Sequence, residues 1–91
     1  MYDDHRLIKL YDEVGGIAPV SVFAKVRSVS ADETVRAEQL GLKAKYQLTV
    51  NRFEYGNQMY AEVDGRMYAV YRIYEADGDK TELYIEDKLG V

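Results

Sequence analysis

Residues 21–50 constrain the fold of this chain more than any other stretch, because two strand patterns flank a capped helical pattern. The first strand pattern alternates Val22, Ala24 and Val26 with polar residues, and the second, from Lys43 onward, alternates Leu48 and Val50 with polar residues. A period of two is typical of a strand with one buried face. The stretch therefore predicts a strand, a helical insertion and a second strand.

The insertion has sequence signals for both ends of a helix. Ser30 followed by Glu33 matches a capping box, in which the Ser30 hydroxyl accepts from the Glu33 amide and the Glu33 carboxylate reaches back to the Ser30 amide. Gly41 suits the left-handed residue that ends a helix. Hairpin loops usually span only about 2–5 residues. An insertion of this length suggests a function of its own.

The same insertion lacks an apolar stripe with which to bury itself. Its only large apolar residues, Val35 and Leu40, do not share a helix face, and a helix this short is marginal in water unless it docks. We expect a mobile segment that a partner or a neighbouring copy orders. An ordinary surface helix lying on a sheet is the alternative, and the sequence leaves it open.

The remainder of the chain has the short strands and turns of a small β domain. Strands are expected at Arg6–Tyr11, Met59–Val63, Arg66–Glu75 and Thr81–Lys88, a loop at Asp12–Pro19, and an extension of the Lys43 strand to Phe53. Asp64-Gly65 predicts a tight hairpin, because both turn positions require positive φ. The expected fold is mainly β: one domain, residues 1–91, forming a small antiparallel β-barrel of about six strands with a short helix or long loop between the second and third.

The strand after the Asp64-Gly65 hairpin is apolar on both faces. In a strict alternation, one face holds Tyr68, Val70, Arg72 and Tyr74. A small domain has little chain with which to cover a second apolar face, and tyrosine is enriched at protein interfaces. We therefore expect these four residues to form an interface.

Composition and residue spacing argue against several classes of function. The net charge of −4 disfavours a general duplex-DNA binder, which needs a basic surface. The chain has no cysteine and no apolar run of membrane-spanning length, and its first residues do not match a signal peptide. His5 has no carboxylates at metal-ligand spacing, and Asp77-Gly78-Asp79 is explained by a turn. We expect no enzyme activity, no cofactor and no metal.

Several segments resemble, in their order and spacing, the head-closure proteins of tailed bacteriophages, also called head–tail joining or stopper proteins. The similar segments are Val22–Ser30, Gln39–Leu42, Tyr46–Val50, Val63–Tyr71 and Glu82–Glu86. The resemblance covers residues 7–91.

The resemblance implies a structural role at the virion head–tail interface, with assembly in the bacterial host cytoplasm. The chain would be a monomer in isolation and would form a ring, expected to be dodecameric, beneath the portal or adaptor protein. The ring would surround the end of the packaged DNA, and a tail or tail-completion protein would dock on it. The segment that closes the DNA channel would be Ser30, Ala31, Asp32, Glu33, Thr34, Val35, Arg36, Ala37, Glu38, Gln39, Leu40, Gly41 and Leu42. Arg36 could meet a DNA phosphate, or pair with Asp32 one helical turn away.

A different class of function also fits part of the sequence. Small barrels of the OB or SH3-like kind bind single-stranded nucleic acid through cations and stacking aromatics. The strands around the insertion offer Lys25, Arg27, Lys43, Lys45 and Arg52 beside Phe23 and Phe53. The acidic total charge weighs against this alternative.

Overall fold

In a computed structural model, which describes residues 5–13, 16 and 18–87, the chain forms six strands around one apolar core. The strands are β1 (His5–Tyr11), β2 (Val20–Ser28), β3 (Ala44–Asn51), β4 (Tyr60–Val63), β5 (Arg66–Glu75) and β6 (Lys80–Glu86). One helix, α1 (Ala31–Gln39), lies between β2 and β3. The predicted Asp12–Pro19 loop falls partly, and the predicted end of the last strand at Lys88 wholly, outside the described residues.

The sheet closes on itself in the order β1-β2-β3-β6-β5-β4, with neighbouring strands antiparallel. The predicted fold class is thus confirmed: a closed six-stranded antiparallel barrel with one helix between β2 and β3. The barrel encloses the inward side chains of every strand, among them Ile8, Leu10, Leu48, Leu83 and Ile85, each at most 1% exposed. Closure leaves no open sheet edge along most of the barrel, which removes a common route to aggregation.

Local sequence signals account for most of the strand boundaries. Asp64 and Gly65 have φ of 54° and 80°, as the predicted hairpin turn requires. Gly78 has φ of 72° in the turn between β5 and β6. Val22, Ala24 and Val26 are buried as the alternation in β2 predicts.

The predicted extension of β3 to Phe53 is wrong. The strand ends at Asn51, and Arg52–Glu54 form one turn of 3₁₀ helix. The Asn51 side chain accepts a hydrogen bond from the Phe53 amide at 2.8 Å, which caps this turn. Asparagine competes with strand pairing in this way because its short amide reaches the backbone two residues ahead.

Candidate functional site: the docked helix and the barrel surface

The caps of α1 form as the sequence predicts. At the N-terminus, the Ser30 hydroxyl accepts a hydrogen bond from the Glu33 amide at 3.1 Å. At the C-terminus, Leu42 N donates to Ala37 O and Gly41 N to Glu38 O, and Gly41 has φ of 78°. This pair of bonds is the Schellman motif, which satisfies the last helical carbonyls. The helix is therefore bounded by its own local chemistry at both ends.

The Glu33 carboxylate does not reach back to Ser30 as the full capping box predicts. It turns toward the barrel, where its Oε2 accepts from the Tyr71 hydroxyl at 2.7 Å and its Oε1 accepts from Arg72 Nη2 at 2.8 Å. A charged guanidinium is a stronger partner for a carboxylate than a backbone amide. Glu33 is consequently only 7% exposed and ties α1 to β5.

Arg72 also lies over an aromatic ring of the neighbouring strand. Its Cζ is 4.1 Å from the ring centroid of Tyr84, a cation–π distance. Tyr84 belongs to β6, is 9% exposed and pairs in register with Arg72. Glu33, Tyr71, Arg72 and Tyr84 are called the Glu33 network below. Tyr71 and Tyr84 were not singled out by the sequence analysis.

The electrostatics of the Glu33 network favour the ion pair. Burial alone raises the pKa of Glu33, but hydrogen bonds from Arg72 and Tyr71 together with the Arg72 charge outweigh it, so the pKa is lowered. Burial and the hydrogen bond to Glu33 raise the pKa of the Tyr71 hydroxyl, which stays protonated and donating. The hydrogen bond with Glu33 raises the pKa of Arg72. Glu33 is thus a carboxylate and Arg72 a cation at neutral pH.

The remainder of the predicted channel-closing segment, residues 30–42, is mostly turned to solvent. Glu33 and Ala37, one turn apart, are its only buried residues, and Ala37 is fully buried. Thr34 and Leu42 are half-buried, whereas the other nine residues are exposed: Ser30, Ala31, Asp32, Val35, Arg36, Glu38, Gln39, Leu40 and Gly41. Val35 and Leu40 are 53% and 68% exposed. The segment docks through one polar contact and one alanine, as a surface helix on a sheet.

The prediction of one interface face on β5 requires correction. Tyr68 and Val70 are 4% and 5% exposed and belong to the barrel core. The pairing of β5 with β6 shifts register between Val70 and Arg72, as a β-bulge does. The extra residue reverses the alternation, so Arg72 and Tyr74 lie on the outer face while Tyr68 and Val70 lie inside. Only the partly exposed Arg72 and the exposed Tyr74 are available at the surface.

Other candidate residues take ordinary structural roles or sit at the surface. Among the described residues no group of His, Cys, Asp or Glu is arranged to hold a metal ion, and no helix is long and apolar enough to cross a membrane. His5 is exposed on β1. Within the same part of the chain, Asp32 and Arg36 form no ion pair with each other. Glu86, at the end of β6, is buried, and its Oε1 has no hydrogen-bond partner within the described part of the chain.

The cations and aromatics of the nucleic-acid alternative are spread over the outer surface. Lys25 and Arg27 lie on β2 and Lys45 on β3, and Lys43 precedes β3. Arg52 and Phe53 follow β3 at the far end of the barrel, with Arg52 Cζ 5.6 Å from the Phe53 ring centroid. Phe23 and Phe53 are 67% and 80% exposed.

Comparison with protein-family models, curated proteins and solved structures finds no match to this chain.

Proposed function

We propose that the chain is a structural head–tail connector of a tailed bacteriophage, which assembles as a ring under the portal or adaptor and closes the DNA channel after packaging. The observation that carries this proposal is the inserted helix between β2 and β3. It is fully capped, yet its docking face consists of Glu33 and Ala37 only, while Val35 faces solvent. A segment that is ordered but weakly attached to its own domain is suited to contacts with another body.

Two further features support a ring of copies. The order and spacing of the segments resemble those of head-closure proteins over residues 7–91. The barrel also exposes large apolar side chains on several sides, including Leu7, Phe23, Phe53, Ile73 and Tyr74. Among these, Leu7 and Phe23 lie side by side across β1 and β2, and contiguous exposed apolar side chains are typical of interaction surfaces.

The first test is the removal of this chain from the phage that encodes it. Particles assembled without it are expected to package DNA and then lose it, so that encapsidated DNA becomes sensitive to nuclease and tails fail to attach. Complementation with the wild-type chain should restore DNA retention. Stable, tailed particles without the chain, or flanking genes that encode no portal or capsid protein, would contradict the proposal.

A second complementation experiment separates ring formation from closure of the DNA channel by α1. A variant lacking residues 34–39 should still be incorporated, because the deleted residues contribute only Ala37 to the buried part of the chain. DNA should nevertheless leak from particles containing this variant. Full retention of DNA would show that α1 does not close the channel, even if the ring forms.

The alternative, a barrel that binds single-stranded nucleic acid, is favoured by one observation, the exposed Phe53 ring with the Arg52 guanidinium beside it. Such a protein would bind oligonucleotides with an affinity that falls as salt rises. Fluorescence anisotropy with a labelled oligonucleotide tests this directly. Loss of binding in Phe53→Ala, with Phe23→Ala as a second probe, would favour the alternative over the connector.

A further inference from the structure

Exposed apolar side chains lie on the outer surface of the barrel at two places, and the charges near each place are mainly of one sign. Leu7 and Phe23 are paired in register across β1 and β2 and are 56% and 67% exposed. Tyr74, near the end of β5, is 53% exposed and faces outward beside Glu82, whereas Ile73, 42% exposed, pairs with the buried Leu83 on the inner face. Leu7 and Phe23 define the β1–β2 surface, and Tyr74 and Glu82 define the β5–β6 surface.

The charges around the two surfaces are opposite. On β1 and β2, which contain no acidic residue, Lys9, Lys25 and Arg27 lie on the same face as Leu7 and Phe23, whereas Arg6 lies on the other face and forms an ion pair with Asp64. The end of β5, the following turn and the start of β6 contain Glu75, Asp77, Asp79 and Glu82 against a single cation, Lys80. Opposite potentials on two surfaces steer them together and fix their relative register.

Barrel topology places the two surfaces on opposite sides of the molecule. In the closed order β1-β2-β3-β6-β5-β4, the junction of β6 and β5 is three strands around from the junction of β1 and β2. Two different, complementary surfaces on opposite sides of a subunit support head-to-tail contacts, which form a ring where the rotation closes. A two-fold dimer would instead join two copies of the same surface. Charges of the same sign would then face each other across the contact.

We propose that the β1–β2 surface of one copy docks on the β5–β6 surface of the next, with Phe23 against Tyr74. This inference rests on the proposed ring and identifies the two surfaces through which neighbouring copies bind each other. The residues that define the two surfaces belong neither to α1 nor to the Glu33 network. Tyr74 is the one residue of the sequence-predicted interface that belongs to this contact.

Site-directed cross-linking tests the contact cleanly, since the chain has no cysteine of its own. Phe23→Cys and Tyr74→Cys variants are mixed, one of them isotopically labelled, and treated with a short bismaleimide at millimolar chain concentration. Mass spectrometry should show mixed dimers in several-fold excess over like dimers. A chain with both substitutions should give a ladder of higher oligomers. Circular dichroism checks that each exposed substitution leaves the fold unchanged.

A matched control uses Val35→Cys in place of Tyr74→Cys, because both side chains are 53% exposed. Mixing Val35→Cys with Phe23→Cys should give no excess of mixed dimers. The excess seen with Tyr74→Cys should fall several-fold when salt is raised, since exposed charges are screened. Equal yields from the two pairs, or like dimers in excess, would overturn the proposal.

The outcomes also separate this contact from the connector function. Rings seen by electron microscopy without Phe23–Tyr74 cross-links would refute the contact and leave the connector intact. Specific cross-links together with full DNA retention in particles lacking the chain would refute the connector and leave the contact. Oligonucleotide binding that Phe23→Ala abolishes, without cross-links, would assign the β1–β2 surface to nucleic acid and overturn the proposal.

Discussion

At the scale of the residue, Glu33 has the largest effect on how α1 is held. It is buried, it accepts hydrogen bonds from Tyr71 and Arg72, and its partner Arg72 is 33% exposed at the side chain. Glu33→Gln removes the charge and leaves Arg72 beside a neutral amide. We expect the free energy of unfolding at neutral pH to fall by about 1–3 kcal/mol. Urea unfolding measures it, with the exposed Glu38→Gln as a control expected within about 0.5 kcal/mol of wild type.

The stability difference between wild type and Glu33→Gln should depend on pH. Because the pKa of Glu33 is lowered from its ordinary value of 4.5, the folded state favours the carboxylate. A depressed pKa stabilises the fold fully above the ordinary value, and this stabilisation is lost as pH falls through the folded pKa. The difference in free energy of unfolding between wild type and Glu33→Gln should therefore be smaller below pH 4.5 than at neutral pH. Unfolding curves recorded at the two pH values measure it. A difference that is independent of pH would mean that Glu33 acts through packing and not through charge.

A second residue, Tyr71, should be energetically coupled to Glu33. Tyr71→Phe removes the hydroxyl that donates to Glu33 Oε2 at 2.7 Å and leaves the ring in place. The single change should cost about 0.5–1.5 kcal/mol, and a double-mutant cycle with Glu33→Gln should show coupling of similar size. Tyr74→Phe, at an exposed tyrosine of the same strand, is the control for loss of a hydroxyl. Additive effects of Tyr71→Phe and Glu33→Gln would argue against a shared hydrogen bond.

At the scale of the element, α1 should unfold locally while the barrel stays folded. Its buried side chains are Glu33 and Ala37 alone, so few contacts oppose a local release of the helix. Native-state hydrogen exchange should show faster exchange for the amides of α1 than for those of β3. In Glu33→Gln, exchange in α1 should accelerate while exchange in β3 changes only with global stability. A parallel change in both elements would show that α1 opens only when the barrel unfolds.

Sequence patterns predicted the elements better than the contacts between them. The alternation around Val22 and Leu48 and the chemistry of Ser30 and Gly41 are local, so β2, β3 and the ends of α1 could be inferred. The contact of Glu33 with Arg72 joins residues 39 positions apart, and no local signal discloses it. The bulge after Val70 reverses the faces of β5, which a strict alternation cannot anticipate. The sequence hints at this interruption of the alternation in one way, because the neighbouring residues Tyr71 and Arg72 both end in polar groups.

At the scale of the whole molecule, the shortest ladder of the barrel joins β1 and β4, and we expect this junction to be the weakest. The strands β1 and β4 pair only from Lys9 to Tyr11, whereas β3 and β6 pair from Ala44 to Asn51. A shorter ladder has fewer hydrogen bonds and less buried surface to lose on opening. The barrel should therefore open first between β1 and β4. Exchange of the amides that join these strands should be faster than that of the amides joining β3 to β6, and equal rates would indicate a barrel that opens as one unit.

Head-to-tail assembly predicts a specific change in this opening. The β1–β2 surface shares β1 with the weak junction, so a neighbouring copy docked on Leu7 and Phe23 would bind the closed barrel and not the opened one. Binding to one state only raises the free energy of opening. Exchange between β1 and β4 should slow when chains are cross-linked through Phe23→Cys and Tyr74→Cys, while exchange between β3 and β6 stays the same. Uniform slowing of both junctions would point to general stabilisation, and no slowing would place the contact away from β1.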